Sequence, residues 1–198
     1  MNQVFDSVAS VIIGSLVMLM LNGLMGGMRS SSVSQTQNAM VQTNLVTVTD
    51  MLESDFRKMG YRLLAPPKDS SVIYADTTSI VIKGDLDNNG TPQDSIRYSF
   101  GTTKPSSNFN PRTRFLFRKW NNGSNQIINV GLTRFRLTYY DGAGNQILAT
   151  PKVAKPSSIR AIKLTLKMES THPSEIENRD TTYSYAVWEE VMKPNNLK

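Results

Sequence analysis

SVASVIIGSLVMLMLNGLMGGM, residues Ser7–Met28, runs for about 22 residues without an ionisable side chain. At a helical rise of about 1.5 Å per residue it matches the roughly 30 Å hydrocarbon core of a bilayer. A buried helix of a soluble core is the competing reading, but such helices seldom run so long without a polar face. Upstream, Met1-Asn-Gln-Val-Phe-Asp6 carries one charge, Asp6, and no basic region. The segment is therefore expected to be retained rather than cut as a secretory signal.

The apolar run holds Gly14, Gly23, Gly26 and Gly27. Each weakens a helix in water by about 1 kcal/mol relative to alanine, yet in an apolar medium each lets a neighbouring helix approach closely. Ser10 with Gly14, and Gly23 with Gly27, have small-xxx-small spacing. Asn22 adds an amide that would seek a partner across a helix contact. Ser10, Gly14, Asn22, Gly23 and Gly27 are thus the candidate helix-packing residues.

Downstream the chain turns polar but stays periodic. Val41, Leu45, Val48, Leu52, Phe56, Met59 and Leu63 recur every three or four residues and form one helical face. The β-branched run Val46-Thr47-Val48-Thr49 favours strand locally, but the longer period decides for helix. Gly60 and Pro66-Pro67 mark its end. The expectation is one long helix, softened or broken near Gly23–Ser32, apolar over residues 1–32 and amphipathic over 33–65.

Beyond Pro67 the period becomes two. Ser71–Lys83, Asp94–Phe100, Arg114–Trp120, Leu132–Tyr140, Ile159–Glu169 and Tyr183–Met192 read as strands separated by Gly, Asn, Pro and Ser clusters. Ile162, Leu164, Leu166 and Met168 alternate with Lys163, Thr165, Lys167 and Glu169, as one buried and one wet face require. The fold class is α+β: a long N-terminal helix packed on an antiparallel β-sheet head, residues 66–198.

The order of these pieces resembles type IV pilins and pseudopilins. Met51-Leu-Glu-Ser-Asp-Phe-Arg-Lys-Met-Gly-Tyr-Arg62 is similar to the helix end of minor pilins and pseudopilins of the W and J types. So are Gly131-Leu-Thr-Arg-Phe-Arg-Leu-Thr-Tyr-Tyr-Asp141 and Ser158-Ile-Arg-Ala-Ile-Lys-Leu-Thr-Leu166. The resemblance implies a structural subunit held in the inner membrane before assembly, then in an extracellular filament on the cell surface. Its partners would be further copies of the chain, packed helix to helix, and other pilins. The alternative is a membrane-anchored pseudopilin or adhesion module of a secretion or DNA-uptake system. Family members carry a short basic leader cut after Gly and a Glu at mature position five that pairs with a neighbour's N-terminal amine. Here no such leader is visible and position five is Phe5; loss of Met1 would make Asp6 the fifth residue and the candidate for that pairing.

Composition narrows the chemistry. The 198 residues contain no cysteine and one histidine, His172, which removes disulfides, thiolate nucleophiles, histidine-rich metal sites and the common nucleophile–base triads. No glycine-rich phosphate loop appears. Glu189 and Glu190 are adjacent on a strand, so they point to opposite faces and are poor candidates for shared acid–base work. No catalytic residue is expected, and the chain reads as a non-enzyme.

Gly84–Asp94, GDLDNNGTPQD, alternates oxygen-bearing side chains with Gly at the sixth place counted from Asp85, like the front of an EF-hand loop without its closing Glu. Asp85, Asp87, Asn89, Thr91 and Asp94 are the candidate ligands and calcium the candidate ion, although no cofactor is required for a structural role. The competing reading is a hydrophilic turn between strands. Arg112, Arg114, Arg118, Lys119 and Trp120, interleaved with Phe115 and Phe117, are the candidate contacts for an anionic polymer. Plain alternation competes, with the two Phe in the core and the arginines in water, and nucleic acid is not the expected partner. The net charge of +6 lies mostly beyond Arg62 and is compatible with either.

Overall fold

The computed structural model describes residues 2–63, 70–90, 92–106, 109–173, 175–177 and 180–194. Helix α1 spans Asn2–Arg57 without interruption. The softening expected near Gly23–Ser32 is absent: glycine lowers helix propensity without removing a backbone donor, so every i→i−4 bond can still form. Hydroxyls along α1 bind their own helix, as in Ser7 to the Gln3 carbonyl at 2.8 Å and Thr36 to the Ser32 carbonyl at 2.9 Å.

The helix ends earlier than the residue-65 boundary. Met59 and Tyr61 donate to the carbonyls of Phe56 and Lys58 in tight turns, and Gly60 and Arg62 take φ of 74° and 58°, a left-handed geometry no helix can continue. Met59, in the turn after Arg57, and Leu63 therefore both lie beyond the helix, and Pro66-Pro67 fall outside the described residues. The six stripe positions from Val41 to Met59 are all buried. At roughly 2 kcal/mol for each large apolar side chain removed from water, this face docks the lower half of α1 on the head.

Strands β1 (Val72–Ala75), β2 (Ser79–Gly84), β3 (Asp94–Phe100), β4 (Leu116–Trp120) and β5 (Asn125–Ile128) form an antiparallel meander in chain order. A second antiparallel sheet has the order β11-β8-β6-β7, from β6 (Leu132–Tyr140), β7 (Gln146–Ile147), β8 (Ala161–Glu169) and β11 (Tyr185–Met192). β9 (Glu175–Glu177) and β10 (Asp180–Thr182) make a small hairpin. α1 packs against β8 and β11, and its end reaches the first sheet.

The structure departs from the sequence pattern at two places. Ser71–Lys83 is not one strand but the β1–β2 hairpin, because the Asp76 carboxylate accepts from the Thr78 and Ser79 amides, both at 2.6 Å, and closes a turn. Glu169, assigned to the wet face of β8, is buried. Burial opposes its charge, but Asn110, Lys167 and Arg112 outweigh that and hold its carboxyl below the usual range. Ile162, Leu164, Leu166 and Met168 are buried as the alternation requires.

Candidate functional site

The first candidate surface is the upper half of α1. Every large apolar side chain there, from Phe5 to Met28, is between 50% and 71% exposed. The helix is long and apolar enough to cross a membrane, and that stretch is not covered by the head. Leaving more than a dozen such side chains in water would forfeit about 1.5–3 kcal/mol each, so another apolar phase must cover them.

The candidate packing residues lie on this bare stretch. A Cβ added at Gly14, Gly23, Gly26 or Gly27 would meet nothing within 4 Å, so these notches answer to no contact among the described residues. Ser10 Oγ donates to the Asp6 carbonyl at 2.7 Å, leaving its small profile on the surface without an unsatisfied hydroxyl. Nine residues separate Gly14 from Gly23, which at 3.6 residues per turn sets them roughly 180° apart. The Ser10–Gly14 and Gly23–Gly27 notches thus open on opposite sides of the helix. Asp6 and Asn22 are exposed on the same stretch.

The basic cluster is placed differently from either reading of its alternation. In β4 the inward positions are Leu116, fully buried, and Arg118 and Trp120, half-buried; Phe117 and Lys119 occupy the opposite face. Arg118 forks onto Asp55 of α1, with Nε 2.9 Å from Oδ2 and Nη2 3.2 Å from Oδ1. The Tyr98 hydroxyl donates to the same carboxylate, and burial, reinforced by the Asp55 charge, holds that phenol protonated far above its ordinary range. Burial works against the Arg118 charge, yet bonding to Asp55 and Tyr98 raises its pKa. Arg112 pairs with Glu169 at 2.8 Å, and Arg114 bonds the Pro111 and Thr113 carbonyls. Arg112 is therefore bound to a carboxylate of β8 and Arg118 to one of α1, so that Arg118 staples helix to sheet.

Glu189 and Glu190 diverge as adjacent strand residues must. Glu189 meets Lys163 at 2.7 Å, whereas Glu190 faces Glu53 of α1; burial first and the Glu53 charge second raise the Glu190 pKa against the opposing effect of Arg57. Because the folded-state value lies above the unfolded one, the folded head is penalised at neutral pH and relieved as pH falls through the raised pKa. Glu190→Gln is expected to lift the unfolding midpoint by about 2 °C at pH 7, with the gain vanishing near pH 4. Melts of both forms across that range check the sign.

The second candidate is the Asp85–Gln93 loop, where β2 pairs β3 with Gly84 opposite Asp94. This is a strand hairpin, as the turn reading has it, and its register brings the ends of the acidic stretch together. Leu86 is buried and pins the loop to the core. Carboxylate oxygens of Asp85, Asp87 and Asp94 all lie within 4.8 Å of one another, the one such convergence among the described residues. Asp85 Oδ2 accepts from Arg62 Nη1 at 2.8 Å and the Gly90 amide at 3.1 Å. Asp94 accepts from the Leu86 amide and Asn121 Nδ2. Asn89 donates its amide nitrogen to Asp87 at 2.9 Å, orienting that carboxylate. Thr91 lies outside the described residues. The part played by Arg62 was invisible in the loop itself, since it comes from the turn after α1.

No protein-family model and no curated protein matches this chain. What it offers for a functional reading is a pilin-like architecture, a long apolar N-terminal helix continued into an amphipathic half that packs on antiparallel sheet.

Proposed function

We propose that the chain is the structural subunit of an extracellular pilus-like filament, held in a membrane by the upper half of α1 and then assembled through that half against copies of itself. The observation that carries the reading is the bare helix: apolar around its circumference, notched at Gly14 and Gly23 on opposite sides, and uncovered by the head among the described residues. A two-helix pair would need one notched face, whereas a helix surrounded by neighbours uses several. A head that never polymerises needs apolarity but has no use for notches.

Fractionation of cells expressing the chain tests this. The expected result is chain in the membrane pellet and, after shearing, in sedimentable extracellular material. Chain confined to the membrane pellet would favour the anchored module instead.

Asp6 supplies a second test. A carboxylate among apolar helices must be paired or neutralised, and a neighbour's N-terminal amine is the partner the filament offers. Asp6→Ala is expected to cut sheared material at least tenfold and Asp6→Glu to retain it. Equal yields from all three forms would remove the pairing.

A further inference from the structure

We infer that the β2–β3 hairpin loop is a calcium site, built from Asp85, Asp87 and Asp94, which fastens that loop to the turn that ends α1. The inference concerns the head alone and does not depend on filament assembly.

Three carboxylates within 4.8 Å repel one another, and two of them, Asp85 and Asp94, are buried, where water cannot screen the repulsion. A second observation points to a ligand. Asp85 is 0% exposed, and although its Oδ2 is taken by Arg62 and Gly90, its Oδ1 is buried without a hydrogen-bond partner among the described residues. A buried carboxylate oxygen with no donor is costly, and a cation is what a third lone acceptor beside two further carboxylates would accommodate.

The charges agree. Arg62 offsets one of the three carboxylates and leaves two negative charges for one divalent ion. Lys58 also reaches the loop but spends its ammonium on the Leu86 carbonyl at 2.9 Å. Oxygens spread over a span of up to 4.8 Å fit an ion with bonds of about 2.4 Å, and calcium accepts such irregular shells, completed by water or carbonyls. Magnesium demands a near-ideal octahedron and gives up its waters reluctantly, so it should bind more weakly. Because Arg62 and the Tyr61 carbonyl, which accepts from the Asp85 amide at 3.0 Å, belong to the turn after α1, filling the site would tie helix end and hairpin together.

With three protein carboxylates rather than a full EF-hand set, the expected Kd is on the order of 10⁻⁴–10⁻³ M. Calorimetric titration of calcium chloride into the full-length chain in detergent should show saturable binding in that range. The unfolding midpoint should rise by about 5 °C in 10 mM calcium over chelator, with a smaller rise in magnesium. Asp87→Asn removes an exposed carboxylate and leaves the buried contacts of Asp85 and Asp94 in place, so it should fold, bind calcium at least tenfold more weakly and lose most of the midpoint rise. No binding heat at 10 mM calcium, equal midpoints in calcium and chelator, an equal rise in magnesium, or an unchanged response in Asp87→Asn would each overturn the assignment.

Discussion

The Gly14→Leu/Gly23→Leu chain is expected to fold, insert in the membrane and yield no filaments. A Cβ added at either position meets nothing within 4 Å among the described residues, and the surrounding stretch is exposed, so leucine has room on this side of any helix contact. Replacing glycine also removes about 1 kcal/mol of helix-propensity penalty at each position, and both residues become more apolar. Everything local therefore improves. The one place where the substitutions can do harm is a contact with another copy, where four added carbons on opposite sides of the helix hold neighbouring backbones apart. Sheared material should fall at least a hundredfold while the membrane-bound amount and head stability stay unchanged. Normal filament yield would show that the notches are not contact points.

The second large effect is expected in the head. Arg118→Met leaves Asp55 buried without its counter-charge, and removal of one partner from such a pair costs about 3–5 kcal/mol. With Asp55 and Arg118 side chains only 11% and 16% exposed, solvent can recover little of this. A chain starting at Arg29 keeps every buried apolar side chain among the described residues, the first being Val41, and serves for the measurement. Its unfolding midpoint should drop by about 6–12 °C. The Asp55→Leu/Arg118→Met double variant should recover much of the loss, because an apolar pair of similar volume avoids the stranded charge, short of the Tyr98 hydroxyl that then lacks its acceptor. Denaturant curves for the four forms give the coupling directly, and a loss below about 0.5 kcal/mol for Arg118→Met would mean the pair is screened like a surface one.

Much of the architecture could be read from local patterns. The stripe from Val41 to Met59 has the helical period and is buried throughout; the alternation of β8 holds until Glu169. Patterns failed where a single contact overrides them. Asp76 closes a turn inside what looks like one long strand, and the short strands β5 and β7 contain too few residues to show a period. Glu169 looks wet because its neutralising groups, Asn110 and Arg112, are far away in sequence. The same distance hid the role of Arg118, whose partner Asp55 lies 63 residues earlier. Asp85 and Asp94 were legible together because a hairpin register is a local property, whereas Arg62 was not, since it reaches the loop only after α1 has docked.

The bare upper half of α1 remains the feature on which the functional reading turns, and a three-dimensional reconstruction of fibres sheared from cells expressing the chain addresses it most directly. The expected density has the upper halves of α1 bundled along the fibre axis, with Gly14 and Gly23 each at a close approach to a neighbouring helix and the β-sheet heads outside. A fibre whose contacts run only through the heads, with the apolar helices facing outward or absent from the core, would contradict the account.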